Sequence, residues 1–254
     1  MPDKRILFTS DLHSGALDGL THPRWHSKQF KFVQCPMWDF WETTVRKIGP
    51  VDVLVVNGDA VHGDGRRDET IGYLTTDMEE QAEIASECLK IVEYKKCRMT
   101  YGTPRHTVGT SNYERAVAKT LGAKIGEYAT FDINGVKFDV RHVSGQSGTP
   151  YTQGTQISKE VVRAVHLAIE DGYAPPDFVV RAHVHNYRED RSGKRIGITQ
   201  PCLQAPLSVY GRKYRGWYYD IGVVEVTVSS SGAIKITPHI MPMRLIHRRV
   251  YEKL

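Results

Sequence analysis

Continuous apolar runs alternate with segments of helical period along this chain. Residues 5–10 and 51–57 are short apolar runs, the pattern of strands covered on both faces. Residues 38–47 predict a helix stopped by Gly49-Pro50. Over residues 76–95, Met78, Ala82, Ile84, Ala85, Cys88, Leu89 and Val92 recur at helical spacing, and residues 97–101 predict a short strand. Residues 112–121 predict a helix with Gly122 as its cap. Asn134-Gly135 predicts a hairpin between strands at 128–133 and 136–142. A Gly/Ser/Thr/Gln stretch at 144–156 reads as loop, and an amphipathic helix at 157–170 closes at Gly172. Strands at 178–182, 195–199, 219–227 and 233–238 complete the chain. No repeat or composition break interrupts the pattern, so residues 1–254 are expected to form one layered α/β domain.

Polar residues gather where these strands end. Asp11-Leu12-His13 follows the first strand, and in extended backbone residues i and i+2 face one side. Asn57-Gly58-Asp59 follows the second, where glycine allows a sharp turn. Gly102-Thr103-Pro104-Arg105-His106 follows the third, the hairpin strand ends at His142, and a later strand ends in His183-Val184-His185. Each cluster alone is weak, since Gly-Asp after a strand is usually a turn. Together they give two aspartates and several histidines at the carboxyl ends of strands, where open α/β sheets form their sites. Such mixed oxygen and nitrogen donors suit Mn, Fe, Zn or Ni, and not Ca or Mg alone. Asp59 could bridge two ions about 3.5 Å apart with a shared water, a pair that generates a nucleophile and clamps the oxygens of an in-line phosphoryl displacement.

Composition adds little except histidine, of which there are 11 in 254 residues. The net charge of +5 permits an anionic substrate without requiring one. Cys35, Cys88, Cys97 and Cys202 form no C-x-x-C pair and read as free thiols. No apolar run nears the ~20 residues of a membrane span, and Met1 to Arg5 leads into a strand with no signal-peptide core. A cytoplasmic protein with no membrane partner is the expectation. The run from Tyr210 to Tyr219 interleaves aromatics with Arg212, Lys213 and Arg215, either a basic solvated loop or a platform for a nucleotide or nucleic-acid strand. His62 lies close enough to Asp59 to line a site; His22 and His26 fall in a loop that could cap a substrate, though exposure is the simpler reading. His166 reads as a structural residue on its helix, and His239 and His247 as inert.

The motifs Asp11-Leu12-His13, Gly58-Asp59-Ala60-Val61, His142 and Ala182-His183-Val184-His185 resemble, in type, order and spacing, those of the calcineurin-like metallophosphoesterase superfamily. The resemblance implies a four-layer α/β/β/α sandwich. It implies that Asp11, His13, Asp59 and His185 bind a first divalent transition-metal ion, and Asp59, His142 and His183 a second, with manganese favoured. It further implies a hydrolase that uses a metal-bridging hydroxide; the aromatic and basic run from Tyr210 to Tyr219 makes a phosphodiester of nucleotide or nucleic-acid type the expected substrate. A phosphomonoester or phosphoprotein substrate is the alternative, and a non-catalytic metal- or phosphate-binding module is a third reading. Two positions depart from the family pattern. Ala182 replaces a glycine, and Thr103 stands where the third motif has an asparagine ligand. Gly-Thr-Pro-x-His looks like a longer variant of that motif, in which His106 protonates the leaving group or replaces the asparagine. Arg105 would pair with phosphate oxygens or lie on the surface.

Overall fold

The computed structural model describes residues 2–64, 72–104, 112–145, 152–207 and 219–246. Its elements in chain order are β1 (Lys4–Thr9), α1 (Lys31–Ile48), β2 (Val51–Asn57), α2 (Met78–Leu89), β3 (Tyr94–Thr100), α3 (Glu114–Thr120) and β4 (Lys124–Gly126). Then follow β5 (Ala129–Ile133), β6 (Val136–Val140), α4 (Gln153–Glu170), β7 (Phe178–Arg181), β8 (Arg188–Ser192), β9 (Arg195–Thr199), β10 (Gly222–Val228) and β11 (Ile234–Ile240). One sheet has the order β11-β10-β1-β2-β3-β4 and the other β5-β6-β7-β9-β8.

The apolar runs of β1 and β2 are continuous because both faces of their sheet are covered. Leu7, Leu54 and Val56 point to one side and pack with Trp41, Val45, Ala85 and Leu89 of α1 and α2, and with Val117 of α3. Ile6, Phe8 and Val55 point to the other and meet Phe138, Val140, Phe178, Val180 and Ile198 of the second sheet. Ile157, Val161 and Ala164 of α4 cover Val179 on that sheet's outer face. The layers are therefore α/β/β/α, as the resemblance implied. Each of these core side chains removes apolar surface from water at roughly 25 cal/mol per Å². Among the described residues no helix is long and apolar enough to cross a membrane.

β1 to β4 run parallel, as do β6, β7 and β9. Antiparallel strands stand at the edges: β10 and β11 on the first sheet, β5 and β8 on the second. At the hairpin between β5 and β6, Asn134 (φ 52°) and Gly135 (φ 83°) both adopt the left-handed backbone that a type I′ turn needs.

Several boundaries differ from expectation. α1 begins seven residues before Trp38, carrying Pro36 inside it and no side-chain cap at Phe30, so neither usual start signal marks it. α2 starts where Asp77 accepts hydrogen bonds from the backbone of Glu79 and Glu80, but stops at Leu89 rather than residue 95. Val92 keeps the helical period yet packs into the core from a turn. β4 and β8 were not expected. β4 has three residues, and β8, Arg-Glu-Asp-Arg-Ser, is a polar edge strand without apolar alternation.

Charged residues tie a helix to its sheet at one place and strands within a sheet at another. Arg181, 2% exposed, donates to Asp139 Oδ2 (3.0 Å), Glu160 Oε2 (2.8 Å) and the carbonyls of Asp139 and Val180, joining β6, β7 and α4. Asp52 on β2 accepts from Lys4 Nζ (3.1 Å), Lys95 Nζ (2.9 Å) and the Arg5 backbone (3.0 Å), joining β1, β2 and β3. Burial alone would raise the Asp52 carboxyl, but these three donors bring it down to about 2. A depressed folded-state value adds stability above the unfolded pKa of 3.8, and that stability disappears as pH falls through the folded value. Lys95 is largely solvated, so screening trims the effect. Asp52→Asn is expected to cost about 1 kcal/mol at pH 7 and almost nothing near pH 2. Urea denaturation across that range checks it; a cost that does not change with pH would refute the assignment.

Candidate metal centre

The polar residues converge because the strands before them end on one side. β1, β2 and β3 are parallel and end at Thr9, Asn57 and Thr100; β6 and β7 are parallel in the facing sheet and end at Val140 and Arg181. The loops after β1 and β2 continue side by side. Asp11 N donates to Gly58 O, His13 N to Asp59 O and Ser14 N to Ala60 O. Ala182 N likewise donates to His142 O, so the loops after β6 and β7 are joined.

Asp11 and His13 do not project together by strand alternation, because β1 ends at Thr9. Their backbones are left-handed, as are those of Asp59, His183 and His185, with φ between 47° and 71°. Among described non-glycine residues the only other positive φ is that of Asn134. Asp and His tolerate this region better than most residues, at a cost of about 1 kcal/mol each, and such strain collects at functional sites. Gly58 is also required sterically: at φ 74°, a Cβ there would stand 2.5 Å from the His142 ring.

Two groups of side chains present ligand atoms within 4.8 Å of one another. One is Asp11, Asp59, His142 and His183; the other is Asp11, His13 and His185. Asp11, rather than Asp59, is common to the two groups, and the His183-x-His185 pair divides between them. His142 Nε2 lies 2.9 Å from Asp59 Oδ2, His185 Nε2 lies 3.0 Å from Asp11 Oδ1, and His13 Nε2 and His185 Nε2 are 3.3 Å apart. All are buried except His183, whose side chain is 29% exposed.

The electrostatics call for positive charge. Burial would raise the Asp11 carboxyl, yet His185 and His142 hold it below its ordinary value. Burial would lower His142, yet Asp59 and Asp11 raise it to about 10, so its proton offsets two buried carboxylates. His183 Nδ1 is a buried atom that makes no hydrogen bond, whereas Asp11 Oδ1 is met by the His185 ring at 3.0 Å. An orphaned buried lone pair at His183, within a buried Asp/His donor set, fits a divalent transition-metal ion.

Further residues hold these groups in place. Thr103, where the family has asparagine, donates from its backbone to Asp59 Oδ1 (2.7 Å), and its hydroxyl lies 3.2 and 3.3 Å from the two carboxylate oxygens. Glu114 was missed in the sequence. It is 2% exposed and accepts from Ala60 N (3.0 Å) and Gly102 N (2.7 Å), bracing the loops after β2 and β3. Burial first, and then Asp59, push its carboxyl up to about 7. Its only sequence signal is an acid two residues after Asn112, whose side chain accepts from Glu114 N at the start of α3.

Other candidates fall elsewhere. His62 lies against His13, so it does line the site. His22 and His26 flank a turn docked on α2: Arg24 pairs with Glu83 and Glu87, and Trp25 donates to Glu87. That turn is therefore held against the fold. His166 is exposed on α4, beside exposed Val162 and Ile169, rather than packed within the structure. His239 pairs with Glu225. Tyr219, the last residue of the aromatic-basic run, is buried with its hydroxyl on His185 and offers no stacking face to solvent. Arg105 and His106, residues 210–218 of that run, residues 146–151 and His247 lie outside the described residues.

No protein-family model and no curated protein matches the chain. Among solved structures it is similar to an archaeal phosphodiesterase, at 12% identity over 92% of this chain and 99% of that one, with a TM-score of 0.49. It is similar to Yfce, a phosphoesterase from E. coli, at 13% identity over 92% and 98%, with a TM-score of 0.45. It is also similar to Vps29 from Entamoeba histolytica complexed with zinc, at 12% identity over 93% and 98%, with a TM-score of 0.40. The chain's own motif order, the strand ends that carry it and the α/β/β/α layering resemble those of the calcineurin-like metallophosphoesterases.

Proposed function

We propose that this chain is a metal-dependent phosphoesterase that acts on phosphodiesters, of nucleotide or nucleic-acid type, with two divalent transition-metal ions. The observation that carries the reading is the pair of buried Asp/His groups sharing Asp11, with an unsatisfied lone pair at His183 Nδ1. Asp11, His13 and His185 would hold one ion; Asp11, Asp59, His142 and His183 would hold the other. Ions so held supply Lewis acidity that activates water at neutral pH and neutralises charge on phosphate oxygens.

The chain's residues do the rest. Thr103 and Glu114 fix Asp59 and the loops beside it. His183, the one partly exposed member of the set, is the candidate ligand a phosphate meets first. Arg105 pairs with phosphate oxygens and His106 gives its proton to the leaving oxygen as the P–O bond breaks. The diester preference rests on the aromatic and basic residues of 210–218.

Hydrolysis of bis-(p-nitrophenyl) phosphate against p-nitrophenyl phosphate, with Mn²⁺ added to metal-free protein, tests the reading. Diester turnover is expected to exceed monoester turnover, and His183→Ala is expected to lower it at least 100-fold. Faster monoester turnover would reverse the substrate assignment. Folded protein that binds Mn²⁺ and turns over neither ester would favour the binding module, the reading that Thr103 in place of asparagine supports.

A further inference from the structure

Three histidines of the candidate centre are gripped at Nδ1, each by a different kind of group. His142 Nδ1 lies 2.7 Å from the backbone carbonyl of Asn57. His185 Nδ1 lies 2.7 Å from the Tyr219 hydroxyl, and His13 Nδ1 lies 3.2 Å from Nδ1 of His62. Their Nε2 atoms point the other way, toward the carboxylates of Asp59 and Asp11.

A neutral imidazole carries one proton. For Nε2 to offer its lone pair to a cation, Nδ1 must hold that proton and donate it. The Asn57 carbonyl, the Tyr219 phenolic oxygen and an unprotonated His62 Nδ1 can each accept it. Packing leaves the rings little room to turn. His185 and His13 are 1% and 4% exposed, Tyr219 meets His185 edge-on, and His62 stands edge-on to His13 and is itself in ring contact with Tyr73.

We propose that Tyr219 and His62 are positioning residues for the Asp11–His13–His185 group. They fix the tautomer and ring angle of its two histidines and so set the affinity of that one cation site. In the second group His142 is held by a backbone carbonyl, which no side-chain substitution removes, so Tyr219 and His62 act directly on the first group alone. The inference rests on the metal-binding reading above.

The test titrates metal-free protein with Co²⁺, followed by calorimetry and by the visible absorption of the bound ion. Tyr219→Phe keeps the ring and removes only the oxygen. His62→Leu removes the acceptor, whereas His62→Asn replaces it with an amide oxygen at a similar place. Wild type is expected to bind two equivalents. Tyr219→Phe and His62→Leu are each expected to weaken one equivalent about 10- to 100-fold, leave the other within about twofold, and shift one component of the spectrum. His62→Asn should recover most of the loss. Unchanged binding in both variants overturns the inference. Equal weakening of both equivalents also overturns it, because that is the mark of general loosening. A wild-type chain that binds no Co²⁺ overturns the metal reading itself, a distinguishable failure.

Discussion

Replacing Arg181 by alanine is expected to cost about 3–5 kcal/mol of folding stability. The side chain is 2% exposed and makes four hydrogen bonds, two to the carboxylates of Asp139 and Glu160 and two to carbonyls. Alanine would leave two half-paired carboxylates between β6, β7 and α4, where water reaches poorly. The penalty comes from those stranded charges more than from the lost contacts. It follows that Arg181→Met combined with Asp139→Leu and Glu160→Leu should be less damaging than Arg181→Ala alone. Chemical denaturation of both variants decides the point. A single-variant cost below about 1 kcal/mol would mean that the network is solvated. Arg181 immediately precedes Ala182-His183, so the loss should reach the centre as well as the core.

The second large effect is expected at Gly102. A Cβ on this residue would stand 2.0 Å from Asp59 Oδ1 and 2.3 Å from Asp59 N. The obstacle is partly backbone, which cannot swing aside as a long side chain can. Gly102→Ala must therefore push Asp59 off its hydrogen bonds to Thr103 and disturb Gly102 N, which Glu114 holds. The expected outcome is at least a 100-fold loss of Mn²⁺-dependent turnover and a measurable fall in Mn²⁺ affinity, with an overpacking cost of about 1–3 kcal/mol. Full activity in Gly102→Ala would show that the loop relaxes freely and that Asp59 has no fixed role.

Much of this arrangement is legible along the chain, and the part that is not has a common cause. β2 and β9 have their expected bounds, because strands buried along most of their length are rich in β-branched apolar residues between polar ends or turns. Asn134-Gly135 and the glycines ending α3 and α4 mark their turns locally. Asp11, His13, Asp59, His142, His183 and His185 stand out because chemistry-bearing residues follow apolar strands five times over. Features that depend on distant partners leave no such trace. Tyr219 reads as part of an aromatic-basic loop, and only the fold brings its hydroxyl to His185, 34 residues earlier. Glu114 reads as an ordinary first-turn acid until two loops are seen to close on it. The left-handed backbones at Asp11 and His13 reverse the simple picture of two side chains sharing one strand face, because the turn geometry is imposed by the neighbouring loop after β2.

Those left-handed backbones set a ceiling on how stable the chain can be while it keeps its centre. Five such residues at about 1 kcal/mol each amount to a substantial share of the ~5–15 kcal/mol by which folded proteins typically outlast their unfolded chains. Glycine at any of the five would relieve the strain and forfeit a ligand atom. Selection for thermal endurance alone, with metal withheld, would therefore erode the centre first, and the most heat-resistant descendants of this chain would be those least able to hold an ion.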